Sequence, residues 1–197
     1  MLEYLHHLFG AVCGQNPDHT WAPGGIVLPC CQRCVGLYAG AGIAALLHLC
    51  LRPQLTGRFL AVHAGFILSI APFGFHWMPQ EPVLRTVSGL LYGFGVFAFL
   101  WCPISRRFPG GGWIGSRPIR SRSTAYAIGL AVTAGLLPLL AACGGRLAAY
   151  ALSSLVLFGL TALAAVICGD AVLTLSRGAQ FLPCRTQPRR LEIGENR

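Results

Sequence analysis

The sequence predicts an all-α integral membrane protein, a bundle of about five transmembrane helices. Hydrophobic residues make up 54% of the 197-residue chain and charged residues only 11%, a balance that is unusual for a water-soluble domain of this size. The chain also contains five apolar runs close to the length of about 20 residues that a helix needs to cross a bilayer. These runs are Val35–Leu51, Phe59–Met78, Leu84–Trp101, Ala125–Cys143 and Leu147–Leu175.

The connections between the apolar runs are too short to form a second domain, so we expect one membrane domain over residues 1–197. Residues 1–34 form a cysteine-rich N-terminal segment, residues 35–176 carry the five spans, and residues 177–197 form a basic tail. Apolar residues near the N-terminus have the spacing of a short amphipathic helix that lies at the membrane interface. These residues are Leu2, Leu5, Leu8, Phe9 and Val12.

The distribution of arginine predicts the orientation of the chain. All fifteen basic residues are arginine, and twelve of them lie on the side where the first span ends. Only Arg33, Arg85 and Arg146 lie on the side of the cysteine-rich segment. Because cytoplasmic loops carry the excess of positive charge, we expect the cysteine-rich segment to be extracytoplasmic. The arginines sit in short segments beside the spans, which favours the bilayer and its anionic lipids as partners and argues against nucleic acid.

Two pairs of glycines predict where the first and third spans meet. Gly36 and Gly40 on the first span, and Gly89 and Gly93 on the third, each form a small-xxx-small pair at a similar depth. Small residues let two helix backbones approach closely in a membrane. We therefore expect these two spans to pack against each other at the four glycines.

The cysteines of the N-terminal segment are the strongest candidates for chemistry. Cys31 and Cys34 form a Cys-x-x-Cys motif at the N-terminus of the first span, where the helix dipole and Arg33 favour a thiolate. A thiolate binds soft metals, so the motif predicts a site for zinc or another soft metal, with Cys13 as a third ligand. The candidates for the fourth ligand are His76 at the outer end of the second span, Cys30 and His19.

The same residues leave other functions open. Cys31 and Cys34 are also the residues that a quinone-linked thiol-disulfide oxidoreductase would use, by analogy with helical-bundle enzymes that place such a motif at a helix start. A structural disulfide is the simplest alternative. In a third reading, Arg33 and Arg85 bind an anionic lipid headgroup, and Arg85 instead pairs with Glu81 if no headgroup is present.

Two sequence blocks carry a resemblance to a known family. The blocks are Cys13-Gly14-Gln15-x-Pro17 and Leu28-Pro29-x-Cys31-x-Arg33-Cys34-x-Gly36-x-Tyr38-x-Gly40. They resemble an uncharacterised bacterial family of predicted membrane proteins, domain of unknown function 2085, with its Cys-His-Gln and Cys-Ala-Arg-Cys motifs. Gln80, Arg85, Gly89 and Gly93 resemble a second block of that family. The resemblance covers about the first half of the chain and implies a multi-pass protein of the bacterial cytoplasmic membrane.

The chain departs from the family pattern at two positions. Gly14 stands where the family has a histidine, and His76 falls at about the position of a family aspartate. If the family site consists of three cysteines and one histidine, this chain lacks the usual imidazole. We therefore expect His76 to supply the imidazole beside Cys13, Cys31 and Cys34.

Overall fold

A computed structural model describes residues 2–53, 55–75, 77–105 and 120–178. Within these ranges the protein is all-helical, as the sequence predicted. The α-helices are α1 (Leu2–Gly10), α2 (Gln32–Leu51), α3 (Gly57–Leu68), α4 (Ala71–Gly74), α5 (Pro82–Ser105), α6 (Arg120–Cys143) and α7 (Arg146–Gly178). Between α1 and α2 the chain forms two 3₁₀ turns, Pro17–His19 and Pro23–Gly25.

In the described part of the chain, five helical segments are long and apolar enough to cross a membrane, which agrees with the predicted number of spans. They are Gln32–Leu51, Gly57–Gly74, Pro82–Ser105, Arg122–Cys143 and Arg146–Val172. The chain runs back and forth between two ends of the bundle, and we call the end at which α2 begins the cysteine end. Helix α7 continues to Gly178 and so includes the first two residues of the predicted tail, and residues 179–197 lie outside the described ranges.

The second span ends earlier than the predicted boundary at Met78. Helix α3 ends at Leu68, and the short helix α4 follows with Pro72 in its first turn. Proline has no N–H to continue the hydrogen bonds of the preceding helix. Pro72 therefore separates α3 from α4, which ends at Gly74, and Met78 lies in the irregular connection that leads to α5.

Helix α2 is the centre of the bundle and packs most extensively on α5. The four predicted glycines lie where these two helices cross. A Cβ atom at Gly40 would lie 2.6 Å from the carbonyl oxygen of Leu90, and one at Gly36 would lie 2.8 Å from the Leu90 nitrogen. In the same way, Cβ atoms at Gly89 and Gly93 would clash with the backbone of α2. The two backbones are thus in direct contact, which any larger side chain would prevent.

The segment before α2 is fixed by contacts at both of its ends. In α1, Leu5 and Phe9 are buried, and the Phe9 ring lies 5.4 Å from the ring of Tyr38 in α2. Leu8 and Val12 are exposed, so only part of the predicted apolar face packs on the protein. Later in the segment, Gly24 has a φ of 59° and lies against the backbone that connects α6 to α7. The N-terminal segment therefore covers the cysteine end of the bundle.

Candidate metal centre

Gln15 anchors the loop that carries Cys13. It adopts a left-handed φ of 43°, which turns the chain sharply after α1. Its side-chain amide donates hydrogen bonds to the carbonyl oxygens of His6 at 2.6 Å and Pro29 at 2.8 Å. The first carbonyl belongs to α1 and the second to the residue just before Cys30. Gln15 therefore links the two ends of the segment that connects α1 to α2. The result is that Cys13 lies beside the start of α2.

Cys31 and Cys34 are placed by the first turn of α2. Cys31 is the N-cap residue, with extended backbone angles, and its carbonyl oxygen accepts the N–H of Val35 at 2.9 Å. Cys34 follows three residues later, and residues at this spacing lie on one face of a helix. The backbone N–H of Cys31 donates to the sulfur of Cys13 at 3.3 Å. This contact joins the loop cysteine to the Cys-x-x-Cys motif.

The sulfur atoms of Cys13, Cys31 and Cys34 lie within 4.8 Å of one another. Ligands in a tetrahedral zinc site with Zn–S bonds of about 2.3 Å are separated by about 3.8 Å, so the group is close to the size of such a site. Cys13 is buried, while Cys31 and Cys34 are half-buried. Within the described ranges, these cysteines are free thiols and form the one group of three or more potential ligands at this separation.

The cluster strongly favours a thiolate at Cys13. Hydrogen bonds from the thiols of Cys31 and Cys34, together with the N–H groups of Cys31 and Gln15, lower the pKa of Cys13 to about 2 despite its burial. Cys30 behaves in the opposite way. Its burial, and then the charge of neighbouring cysteine thiolates, raise the pKa of the Cys30 thiol far above its usual range. In the metal-free cluster the thiolate is thus held at Cys13, and Cys30 stays protonated.

The remaining predicted ligands do not join the cluster in the described ranges. Cys30 is fully buried and, like the half-buried His19, is not in the group of mutually close ligand atoms. Cys30 is adjacent to Cys31 in sequence, but its side chain packs into the hydrophobic core. His76 lies outside the described residues, so the prediction that it supplies the fourth ligand stays a prediction.

Arg33 and Arg85 lie at the same end of the bundle as the cysteines. The guanidinium of Arg33 donates to the side-chain oxygen of Gln80 at 3.2 Å and to the carbonyl oxygen of Phe73 at 3.5 Å. Arg85 bonds to Glu81 through its backbone N–H, at 2.9 Å. In the described part of the chain, the expected side-chain ion pair between Arg85 and Glu81 is not formed.

Three polar residues that support the site were not singled out by reasoning from residue chemistry. Gln15 and Gln80 make the contacts given above, and Trp21 donates its indole N–H to the hydroxyl of Thr86 at 2.9 Å across 65 residues of sequence. The two glutamines could have been found from the family resemblance, because Gln15 and Gln80 are both motif positions. Nothing in the local sequence indicates the contact of Trp21.

The fold and the cysteine cluster define a class: a multi-pass helical membrane protein with a three-cysteine group at one end of its bundle. Residues 13–99 match the model of a family described as "Predicted membrane protein (DUF2085)", which confirms the resemblance seen in the motifs. The matched segment contains the three cysteines and both arginines. Comparisons with curated proteins and with solved structures gave no significant match. The family description names no activity, so function has to be argued from the site.

Proposed function

We propose that this protein binds zinc or another soft divalent metal through Cys13, Cys31 and Cys34. The observation that supports the proposal is the convergence of three sulfur atoms to within 4.8 Å, although Cys13 precedes Cys31 by 18 residues. Thiolates are the ligands that zinc and other soft metals prefer. A metal ion would also neutralise the negative charge that accumulates when three thiolates are held together.

The fourth coordination position decides what kind of site this is. His76 as the fourth ligand would give a closed, structural site, whereas a water molecule in its place would leave the metal open to an external ligand. In the closed form, the metal would fasten the N-terminal segment to α2 and contribute directly to folding free energy. Replacement of His76 by alanine, followed by measurement of metal affinity, distinguishes these two forms.

The proposed location is the bacterial cytoplasmic membrane, with the cysteine cluster on the extracytoplasmic side. The support is the arginine distribution, with twelve arginines on the opposite side of the spans and three on the side of the cysteines. In an oxidising compartment, neighbouring thiols become disulfides unless they are protected. Metal binding would provide such protection for Cys31 and Cys34.

Elemental analysis of the purified protein tests the metal proposal. Wild-type protein should carry about one metal ion per chain, since the cluster supplies one set of thiolate ligands. Cys13→Ser and Cys34→Ser should lose most of this metal. Cys143→Ser is the matched control, because Cys143 is an exposed thiol at the same end of the bundle and lies outside the cluster. Equal metal content in all four proteins would overturn the proposal.

A thiol-disulfide oxidoreductase is the second candidate, favoured by the low pKa of Cys13 next to Cys31 and Cys34. In this reaction the thiols of Cys31 and Cys34 form a disulfide, and their two electrons and two protons reduce a membrane quinone to quinol. An apolar cavity of about 760 Å³ between α3 and α6 has room for a quinone ring. It is lined by Phe59, His63 and Tyr126 among others, at the opposite end of the bundle from the cysteines. A quinone in this cavity would be too far from the cysteines to accept their electrons directly, so the oxidoreductase would need a quinone site nearer to Cys31 and Cys34.

The two candidates predict different products from one variant. In Cys34→Ala, an oxidoreductase would accumulate a mixed disulfide between Cys31 and a partner thiol, which non-reducing electrophoresis detects. A metal protein would instead lose metal without forming that adduct. The reading in which Arg33 and Arg85 bind an anionic headgroup involves other atoms and is compatible with either candidate.

A further inference from the structure

The N-termini of α2 and α5 lie side by side at the cysteine end and bring two arginines together. A Cβ atom at Gly89 of α5 would lie 3.0 Å from the backbone carbon of Arg33, and Arg85 lies one turn before Gly89. Arg33 and Arg85 thus both lie in the first turns of two adjacent helices. Both helix dipoles add positive potential at the same place.

The two guanidinium groups are incompletely bonded. Among the described residues, the Nε atoms of Arg33 and Arg85 are buried without a hydrogen-bond partner. The groups to which Arg33 donates there are neutral, namely the side chain of Gln80 and the carbonyl of Phe73. Leaving a buried donor of a charged group unpaired is costly. Each guanidinium therefore has hydrogen-bonding capacity that the described residues do not use, and both arginines are only half-buried.

The charges around the arginines do not balance within the described ranges. Neither Arg33 nor Arg85 forms an ion pair with a carboxylate among the described residues. Glu81 is exposed and forms no ion pair with Arg85 in the described part of the chain. A ligand with a negative charge would complete the balance.

We propose that Arg33 and Arg85 form a binding site for a phosphate-type oxyanion at the cysteine end of the bundle. Arginine presents a planar fork of N–H donors that matches the oxygen atoms of phosphate, and two such forks can hold one anion from two sides. Gln80 is a positioning residue, because its side-chain oxygen holds the guanidinium of Arg33. The site uses no cysteine and does not depend on the proposed metal.

The oxyanion has two sources, a free phosphate or the phosphate headgroup of a membrane lipid. Both present the same charged oxygens, and the site lies at the end of two membrane-spanning helices, which both can reach. Calorimetric titration of the purified, detergent-solubilised protein with inorganic phosphate and, separately, with dihexanoyl phosphatidic acid distinguishes the sources. Binding of both probes indicates a free oxyanion site, and binding of the lipid alone indicates a headgroup site.

The variants Arg33→Gln and Arg85→Gln should each weaken binding of whichever probe binds the wild-type protein by about tenfold or more, because each removes charge-assisted hydrogen bonds. Arg146→Gln is the matched control. Arg146 is exposed at the same end of the bundle, and its loss removes the same charge without touching the site. Gln80→Ala should weaken binding less than either arginine variant, and Arg33→Lys should recover part of the loss.

Failure of the proposal is distinct from misfolding and from failure of the metal site. Each variant should elute as wild type in size-exclusion chromatography and keep its metal content, since no ligand of the cluster is changed. Arg33→Lys retains the charge and serves as the readout if Arg33→Gln does not fold. No binding of either probe to wild-type protein, or equal affinities of wild type and both glutamine variants, would overturn the proposal.

Discussion

At the scale of single residues, the cysteine cluster depends on one loop residue that is not a ligand. Gln15 donates a backbone hydrogen bond to the sulfur of Cys13 at 3.5 Å, and its side chain bonds to carbonyls of His6 and Pro29. Groups that orient metal ligands in this way typically affect metal affinity by about 10- to 100-fold. The position of Cys13 is thus set by the amide of Gln15.

Gln15→Ala should therefore lower zinc affinity by about 10- to 100-fold without removing a ligand. Competition with a chromogenic chelator measures the change. Asn16→Ala is the control, because the side chain of Asn16 accepts the N–H of Asp18 in the same loop and does not contact the cluster. An affinity of Gln15→Ala equal to that of Asn16→Ala would show that Cys13 is positioned by other contacts.

The protonation of Cys13 gives a second prediction at this scale. Its pKa, lowered to about 2 by hydrogen bonds from the neighbouring thiols, lies below neutral pH. A lowered pKa means that the folded protein holds the thiolate at pH values where an ordinary cysteine is protonated. At pH 5, well below the pKa of about 8.5 of an ordinary cysteine, metal-free wild type should therefore still show thiolate ultraviolet absorbance, and Cys13→Ser should lose it. Cys30→Ala should behave as wild type, because Cys30 is protonated at this pH. The same absorbance in wild type and Cys13→Ser would refute the assignment.

At the scale of helices, the contact of α2 with α5 places the site. The glycines at this crossing bring Arg33 next to the turn that follows Arg85, and they fix the first turn of α2 that carries Cys31 and Cys34. The crossing does not tolerate larger side chains, because backbone atoms, which cannot move aside as a flexible side chain can, lie where a Cβ would be. Overpacking of such a contact typically costs about 1–3 kcal/mol.

Gly93→Ala should lower stability by about 1–3 kcal/mol, since its Cβ would lie 3.0 Å from the nitrogen of Ala41 and closer still to the carbonyl of Leu37. Gly135→Ala is the matched control in α6, where a Cβ meets nothing within 4 Å. It should be neutral or stabilising by up to about 1 kcal/mol. Thermal unfolding in detergent compares the two. Similar melting temperatures for both variants would mean that α2 and α5 are farther apart than described.

The helices could be predicted from the sequence because each spanning helix must form its own backbone hydrogen bonds and be apolar over the thickness of the bilayer. An apolar run of sufficient length crosses the membrane whatever its neighbours are, so the five spans could be counted from hydropathy. The expected end of the second span at Met78 was wrong, since the span ends at Gly74, and Pro72 interrupts it between α3 and α4. Hydrophobic periodicity and composition do not reveal such an interruption of a helix, whereas the position of a single proline does.

The site was less predictable because it depends on where side chains point. The spacing of Cys31 and Cys34 showed that they share a helix face, but sequence left Cys30 open as an alternative fourth ligand, and only the structure shows that it is not in the group of mutually close ligand atoms. The approach of Cys13 depends on the left-handed turn at Gln15, which no local pattern indicates. Contacts between residues far apart in sequence, such as that of Trp21 with Thr86, cannot be inferred from the spacing of residues along the chain.

At the scale of the whole molecule, native cysteines offer a test of the proposed orientation. Cys143 and Cys50 are both exposed, at the cysteine end and the opposite end respectively. If the cysteine end faces outward, a membrane-impermeant maleimide added to intact cells should label Cys143 and spare Cys50. Permeabilised cells provide the control, in which both should react. Labelling of Cys50 and not Cys143 would reverse the orientation and place the cluster in the cytoplasm.

Zinc K-edge X-ray absorption of the purified protein determines whether three cysteines hold the metal. Binding through Cys13, Cys31 and Cys34 predicts a shell of three sulfur atoms at about 2.3 Å from zinc, with one lighter nitrogen or oxygen ligand at about 2.0–2.1 Å. Loss of one sulfur from this shell in Cys13→Ser would identify the loop cysteine as a ligand. A spectrum with only nitrogen and oxygen neighbours, or protein that does not retain zinc, would contradict the account.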